Sequence, residues 1–494
     1  MSSPGLPISR APGFEPISEA GATRLSAWLG RLGAWGAVWV GIAAGVAGAY
    51  VSDLEMAWIG FLMVAAFCVT VLLATRDIVR LVGGLLIFTL QADAAYRVLY
   101  GRAGSDGLAF PLCVIVAAAW VLLWWLMTPI GERRTIDWGR PLLVPLALMF
   151  GAMFVAIAFS GERFVGVTAL LYHLELYLVF WVVLQMVQTK ADLERVLRLL
   201  LVVLAIQCVI YFIQSALGVG FNLEGDKIEQ GTVPRPGGTV SSNPAGFASF
   251  AIPILMVAMA RFLMSARRYE RRYLAVLIAM GVTAVGLTFT RVAWAGLLVS
   301  SAMLVMTTWR RGFLPTRGIV WIAVALAITL AALAPGILYR NEEAPLDEAY
   351  SERHGLMLIA LEIIREHPLT GVGPGAYAYV YKRHLPENLG DQWLYKVHNE
   401  YLLRTAESGI AGGIAWVLLL VTGFRLARQL SRIPVFAIQT LGLGWSAGIL
   451  ALAWQMYWVP WDGFQYNVLL WVFLALTIAA QRIVAREEAG DALR

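Results

Sequence analysis

The chain has 494 residues, of which 59% are hydrophobic and 14% are charged, and its formal net charge is +6. Soluble proteins average about 45–50% apolar and about 25% charged residues, so this composition excludes an ordinary soluble domain and indicates a membrane protein. The basic residues lie mostly in short connections between apolar runs, which argues for a topology signal and against a nucleic-acid-binding surface. The three cysteines all lie inside apolar runs, so no disulfide framework or metal pattern is expected.

Residues 1–32 are rich in proline, serine and glycine, and no apolar core follows the start closely enough to make a cleavable signal peptide. We expect a disordered cytoplasmic tail there. A crossing needs about 20 apolar residues, and fourteen such stretches follow. They lie near 33–51, 56–75, 78–98, 108–128, 141–159, 164–187, 196–217, 245–264, 272–289, 292–309, 317–335, 409–427, 437–457 and 466–484. The predicted organisation is therefore eleven membrane helices over 33–335, a large outward loop over 336–408, three helices over 409–484 and a cytoplasmic tail over 485–494.

Arginine clusters fall on the same side of the membrane as the N-terminus when the connections are assigned alternately. These clusters are Arg133-Arg134-Arg140, Arg267-Arg268-Arg271-Arg272, Arg310-Arg311-Arg317 and Arg425-Arg428-Arg432. Because basic residues concentrate in cytoplasmic connections, both termini are predicted to be cytoplasmic.

Arginines on the outward side need another explanation. Arg235 lies in a rigid, turn-rich stretch of the outward loop 218–244, and Arg291 stands at the outer end of a helix with almost no loop beside it. Arg163 is a further outward arginine. Arginine suits phosphate because its planar fork donates two hydrogen bonds and stays charged, although a solvated or snorkelling charge is the alternative in each case.

The long loop is predicted to begin with an amphipathic helix over 348–366, which Pro368 stops. Its apolar face would lie on the membrane surface or cap the bundle. Gly371-Val372-Gly373-Pro374-Gly375 follows and is either a plain turn or a turn whose N–H groups cup an anion.

A short polar helix is then predicted to start at His398 and to run straight into the next crossing. Asn399 can cap this helix, and Glu400 can pair with Arg404 four residues later. A histidine at a helix start is disfavoured in its charged form by the helix dipole, so His398 is the candidate base among the five histidines. His173 and Glu175 are further candidates because ionisable groups inside an apolar run are costly and usually functional or paired.

Four pieces of sequence, in order, carry a family resemblance. They are Arg235-Pro-Gly-Gly-Thr239 with Asn243-Pro244, Thr290-Arg291, Arg353 through Gly375, and His398-Asn399-Glu400-Tyr401-Leu402 through Glu407-Ser408-Gly409. Over about residues 230–430 the chain resembles the O-antigen ligase and polymerase superfamily, membrane glycosyltransferases of bacterial envelopes.

The resemblance implies an inner-membrane enzyme of lipopolysaccharide biosynthesis with its large loop in the periplasm. It would transfer a glycan from an undecaprenyl-diphosphate-linked donor to lipid A-core, with inversion and without a metal, another cofactor or nucleic acid. His398 would be the base, and Arg235, Arg291 and Arg353 would bind the diphosphate. The supporting residues would be Asn399, Glu400, Glu407, Gly371 and Gly373. Further candidates are His173, Glu175 and Arg163.

The expected fold is all-α, a polytopic membrane bundle of about 12–14 helices with short helices in one large periplasmic loop. The resemblance favours about twelve crossings. A polymerase that extends a lipid-linked glycan is an alternative function, because its catalytic loop would look alike. A lipid-linked glycan flippase or transporter is an alternative of another class, but it predicts internal repeats and helices interrupted at mid-membrane, which the sequence does not suggest.

Overall fold

The computed structural model describes residues 78–92, 95–97, 109–127, 136–218, 235–241, 243–316, 338, 346–384, 396–461 and 463–492. The tail expected at 1–32 and the helices expected at 33–51, 56–75 and 317–335 lie outside these residues. Internal contacts divide the chain into two units, Met1–Leu81 and Val82–Arg494, and the bundle belongs to the second.

The described elements are almost all helical. In chain order they are α1 (Ile78–Thr89), β1 (Ala95–Arg97), β2 (Ala109–Pro111), α2 (Leu112–Met127), α3 (Leu143–Phe159), α4 (Arg163–Met186), α5 (Lys190–Leu217), α6 (Pro244–Met264), α7 (Arg268–Leu287), α8 (Arg291–Arg310), α9 (Leu346–Glu366), α10 (Tyr377–Val380), α11 (Glu400–Leu430), α12 (Phe436–Trp458) and α13 (Phe464–Ala492). Single turns of 3₁₀-helix cover Arg140–Leu142 and Tyr381–His384.

Eight of the described helices are long and apolar enough to cross a membrane: α3 with its preceding 3₁₀ turn, α4, α5, α6, α8, α11, α12 and α13. The predicted polytopic helical bundle is therefore confirmed, and the chain is a multi-pass membrane protein. α7 is not among the eight because its first turns carry Arg268, Glu270, Arg271 and Arg272. α2 is apolar throughout but has only 16 residues.

The helix predicted over 78–98 is wrong in its second half. α1 ends at Thr89, whose hydroxyl donates to the carbonyl of Leu86 (3.0 Å), and β1 then pairs antiparallel with β2. The helix predicted from 108 starts only at Leu112 because Ala109–Pro111 is the second strand. Gln91 belongs to the break between α1 and β1, and its side-chain oxygen is held by Gln207 of α5 (2.9 Å).

Close backbone contact joins α6 to α12 in the centre of the bundle. A Cβ added at Gly444 would lie 2.5 Å from the Cα of Val257, so only glycine permits this approach. Small residues at helix crossings are the usual means by which membrane helices maximise van der Waals contact, since lipid offers no hydrophobic driving force between helices.

One end of the bundle holds a buried charge cluster. Arg261 donates two 2.7 Å hydrogen bonds to the carboxylate of Glu194 and a third of 2.7 Å to Glu270. Its guanidinium also lies 4.9 Å from the ring centroid of Phe436. Two carboxylates thus compensate one buried cation at the junction of α5, α6 and α7.

Candidate functional site

The opposite end of the bundle carries α9 and the described chain that follows it, at the start of α11. One apolar face of α9 packs on the chain that follows it and on the start of α11. The buried cluster comprises Leu356, Ile359, Ala360, Ile363, Val372, Ala376, Tyr377, Tyr381, Val397, Leu403 and Ala406. Arg353 is partly buried and lies one helical turn before Leu356.

The glycine-rich turn docks on α11. The N–H of Val372 donates to the carbonyl of Ala406 (2.9 Å), and the N–H of Gly373 donates to the carbonyl of Glu407 (3.0 Å). Gly371 and Gly373 have φ of 65° and 112°, a region that favours glycine. The N–H groups of Val372 and Gly373 are therefore bonded to α11 and are not available to bind an anion.

α11 is broken where it meets the turn. Ser408 (φ −126°, ψ 18°) and Gly409 (φ 69°, ψ 179°) leave helical geometry, and the N–H of Ile410 donates to the carbonyl of Pro368 (2.9 Å). The prediction that the polar helix runs straight into the crossing is therefore wrong. The break separates a polar segment, residues 400–407, from the membrane part of α11 that begins at Ile410.

The start of the polar segment agrees with the sequence prediction. The Asn399 side chain accepts from the N–H of Leu402 (3.0 Å), which confirms the cap, and Arg404 Nε donates to Glu400 (2.6 Å), which confirms the i,i+4 pair. His398 lies directly before the cap and is partly exposed, whereas its neighbour Val397 is buried. His398 is therefore partly exposed and lies directly before a capped helix start.

Glu400, Arg404 and Glu407 form a buried ionic cluster. The second oxygen of Glu400 accepts from the backbone N–H of Trp461 (2.8 Å), in the connection between α12 and α13. Arg404 Nη1 lies 3.7 Å from Glu407, and its guanidinium carbon lies 5.3 Å from the ring centroid of Trp416. Glu400 and Glu407 are 0% and 3% exposed, so each depends on these partners for compensation of its charge.

Arg235 reaches the corner between α7 and α8, the corner at which Arg291 begins α8. Arg235 Nε donates to the carbonyl of Thr288 (2.9 Å), and α8 begins at Arg291 three residues later. The corner is tight: Phe289 has φ of 49°, and the indole N–H of Trp294 donates to the carbonyl of Val285 (3.1 Å). Both arginines are partly buried.

The last turns of α12 connect this corner to α11. The Tyr401 hydroxyl donates to the carbonyl of Ala453 (2.9 Å), and the indole N–H of the next residue, Trp454, donates to the carbonyl of Val292 (3.1 Å). The helix start that follows His398 and the helix start at Arg291 are therefore both anchored to consecutive residues of one helix.

Buried glutamines, which were not among the predicted site residues, hold the loop that carries Arg235. Gln207 Nε2 donates to Thr239 Oγ1 (2.6 Å), and Gln214 Oε1 accepts from the N–H of Gly238 (3.0 Å). The two glutamines lie seven residues apart on the apolar helix α5, hence on one face. Two amide side chains seven residues apart in an apolar helix are the sequence feature from which this contact could have been predicted.

The remaining candidates do not form a second site. His173 Nδ1 is 2.8 Å from the carbonyl of Ala169, and the ring is close enough to Arg404 for an electrostatic interaction. Glu175 lies two residues on, about 200° around α4. It lines an apolar groove of about 410 Å³ with residues of α2 such as Val114.

Arg163 is exposed at the first residue of α4. It stands beside the α3–α4 corner, where the hydroxyl of Ser160 donates to the carbonyl of Val372 (2.7 Å). This candidate therefore borders the glycine-rich turn and not the corner of Arg235 and Arg291.

Residues of metal-ligand type approach one another on the outer side of the loop. Within the part of the chain that the structure describes, ligand atoms of Glu362, Glu366 and His384 lie within 4.8 Å of one another. Both carboxylates are exposed, and His384 lies 3.6 Å from Glu366 and 3.9 Å from Glu362. The group is compatible with a surface ion pair, and the chemistry proposed below does not use it.

Part of the chain matches a known protein family. Residues 274–417 match the family model described as O-antigen ligase. No curated protein matches the chain. The matched region runs from α7 into α11 and contains Arg291, Arg353, His398 and the ionic cluster, while Arg235 precedes it. The resemblance to the O-antigen ligase superfamily is confirmed, and residues 274–417 are similar to the O-antigen ligase family.

Proposed function

We propose that this protein is a glycosyltransferase that moves a glycan from undecaprenyl diphosphate to lipid A-core on the periplasmic face of the inner membrane. The observation that carries the proposal is that hydrogen bonds connect the corner at Arg291 and the helix start after His398 at one end of the bundle. Arg235 donates to the corner that leads into Arg291, and α12 hydrogen-bonds both to that corner and to the helix start that follows His398.

The arginines are proposed to bind the diphosphate. Departure of a lipid diphosphate develops negative charge, and preorganised cations stabilise that charge. Arg235 bonds to the corner at which Arg291 begins α8, and each guanidinium can donate paired hydrogen bonds to phosphate oxygens. Arg353 is the third proposed ligand and approaches from α9.

His398 is proposed as the base. It takes the proton of the acceptor hydroxyl while that oxygen bonds to the anomeric carbon of the donor. The bond from this carbon to the diphosphate oxygen breaks, and its electron pair leaves with the lipid carrier. Attack and departure occur on opposite faces, so the anomeric configuration inverts. The positive end of the polar segment disfavours a charged imidazole and thus favours the basic form.

The proposed orientation follows from the arginine-rich connections at the other end of the bundle. Arg267, Arg268, Arg271 and Arg272 surround the junction of α6 and α7, and Arg428 and Arg432 flank the end of α11. Because basic connections remain cytoplasmic, the end that carries His398 would face the periplasm and both termini the cytoplasm.

The test is a transfer assay with purified protein and a lipid-linked oligosaccharide, supplied with either lipid A-core or a second lipid-linked oligosaccharide. We expect product on lipid A-core. His398→Ala should lower kcat by about 10²–10⁴-fold, the usual contribution of a general base. The matched control is His367→Ala, since His367 is an exposed histidine of the same loop. Arg291→Ala should lower kcat and raise KM for the donor, because the arginine is proposed to bind the diphosphate and to stabilise the charge that develops as it leaves.

Each outcome decides between functions. Product only on the second lipid-linked oligosaccharide would indicate a polymerase. Absence of product from both acceptors, with protein that is folded and binds the donor, would leave a flippase or transporter as the better hypothesis. Full turnover by His398→Ala would remove this histidine as the base.

A further inference from the structure

Arg404 lies between the proposed catalytic base and the membrane part of α11, yet no role in the proposed reaction uses it. It pairs with Glu400 one turn before it and Glu407 one turn after it on the same helix. Burial of three charged side chains within eight residues is costly and contributes little net stability, so such clusters are best explained by the arrangement that they specify.

The cluster reaches two separate segments of the chain. Through Glu400 it reaches the backbone N–H of Trp461 (2.8 Å), between α12 and α13. Through Glu407 it reaches the glycine-rich turn, because the Glu407 carboxylate interacts with the backbone N–H of Gly375. The backbone carbonyl of Glu407 also accepts from the N–H of Gly373 (3.0 Å). The polar segment is therefore held at its first and last residues, and Arg404 is the group that links the two carboxylates.

We propose that Arg404 is a positioning residue that fixes the rotation and tilt of residues 400–407, and with them the place of His398. This inference rests on the proposed function. His398 lies two residues before Glu400, so a rotation of the segment about its axis displaces the imidazole directly. The break at Ser408 and Gly409 means that the membrane part of α11 does not fix this rotation.

The position requires a planar guanidinium because three groups contact it from different directions. One edge donates to Glu400 through Nε, another faces Glu407 through Nη1, and the plane lies near Trp416. A lysine ammonium is a point charge on a flexible stem and cannot serve the three directions together. Arg404→Lys therefore keeps the charge while removing the geometry.

The experiment compares wild type, Arg404→Lys and Arg404→Ala with the matched control Arg365→Ala, an exposed arginine of α9. We expect Arg404→Lys to lower kcat by about 10–100-fold, the cost of a displacement of about 1 Å at a reacting group, with KM for the donor unchanged within about threefold. The control should retain both constants. A raised KM with unchanged kcat would overturn the proposal, because it would make Arg404 a substrate ligand, and so would full kcat in Arg404→Lys.

Hydrogen exchange provides a second measurement that does not require activity. Amides of residues 400–407 should exchange at least about tenfold faster in Arg404→Lys than in wild type, while those of residues 410–430 should be unchanged. Unchanged exchange in the polar segment would overturn the proposal. If wild type transfers no glycan but the exchange difference is found, the proposed function fails and the positioning role stands. If wild type is active and Arg404→Lys matches it, the positioning role fails alone.

Discussion

Replacement of Gly371 with alanine should separate the polar segment from the glycine-rich turn. Gly371 has φ of 65°, where a Cβ costs about 1–2 kcal/mol. The new Cβ would also lie 2.5 Å from the carbonyl carbon and oxygen of Glu407 and 2.6 Å from the nitrogen of Ser408, all backbone atoms. Overpacking against groups that cannot rotate away adds about 1–3 kcal/mol, so we expect a total loss of about 2–5 kcal/mol.

Two control glycines separate the cost of backbone strain from the cost of overpacking. Gly312 has φ of 75° and open space around its Cβ position, so Gly312→Ala should show the backbone strain alone. Gly355 lies within α9, also with open space, and Gly355→Ala should be neutral or stabilising by up to about 1 kcal/mol.

The assay is unfolding of the purified variants in one detergent, followed by glycan transfer below the unfolding temperature. Apparent stability should fall in the order Gly355→Ala, Gly312→Ala, Gly371→Ala, and only Gly371→Ala should also lose kcat. Equal stability of Gly371→Ala and Gly312→Ala would refute the contact between the turn and Glu407. Unchanged kcat in a destabilised Gly371→Ala would refute the link between the turn and the site.

Two further predictions concern groups away from the proposed chemistry. Arg261→Met should lower the free energy of unfolding by about 3–5 kcal/mol because Glu194 and Glu270 lose the buried cation between them and keep only Arg198 and Ser265 as partners. The same substitution combined with Glu194→Gln and Glu270→Gln should recover most of this loss in an unfolding assay. Tyr377→Phe should be neutral or stabilising by about 1 kcal/mol, since the buried hydroxyl has no hydrogen-bond partner among the described residues. Burial, and then the charge of Glu407, raise the pKa of Tyr377 above its ordinary value of 10.0, so the folded state keeps a proton that the unfolded state releases. Wild-type stability should therefore fall more steeply than that of Tyr377→Phe as pH rises above 10, and equal slopes would contradict the assignment.

Local features of the site could be predicted from the sequence because neighbours along the chain determine them. The Asn399 cap and the pair between Glu400 and Arg404 depend only on helix geometry, and both are present. The apolar runs likewise predicted the eight described helices that are long and apolar enough to cross a membrane, since their length must match the bilayer. The end of α1 was missed because hydropathy alone does not register a strand as short as β1.

Features that depend on distant partners could not be predicted. The break at Gly409 requires the carbonyl of Pro368 as the acceptor for Ile410, and the packing of α9 against the bundle requires Tyr377 and Leu403 as neighbours. Trp461 as the partner of Glu400 is 61 residues away in the chain. No periodicity within a segment encodes such a pairing.

The break in α11 also changes how the protein responds to its lipid environment. Membrane helices tilt when the thickness of the bilayer differs from their apolar length. In a continuous helix, that tilt would carry residues 400–407 and His398 along with it. Here two non-helical residues take up the change in angle, while the glycine-rich turn and Trp461 keep the polar segment in place. We therefore expect the rate of glycan transfer to depend little on acyl-chain length.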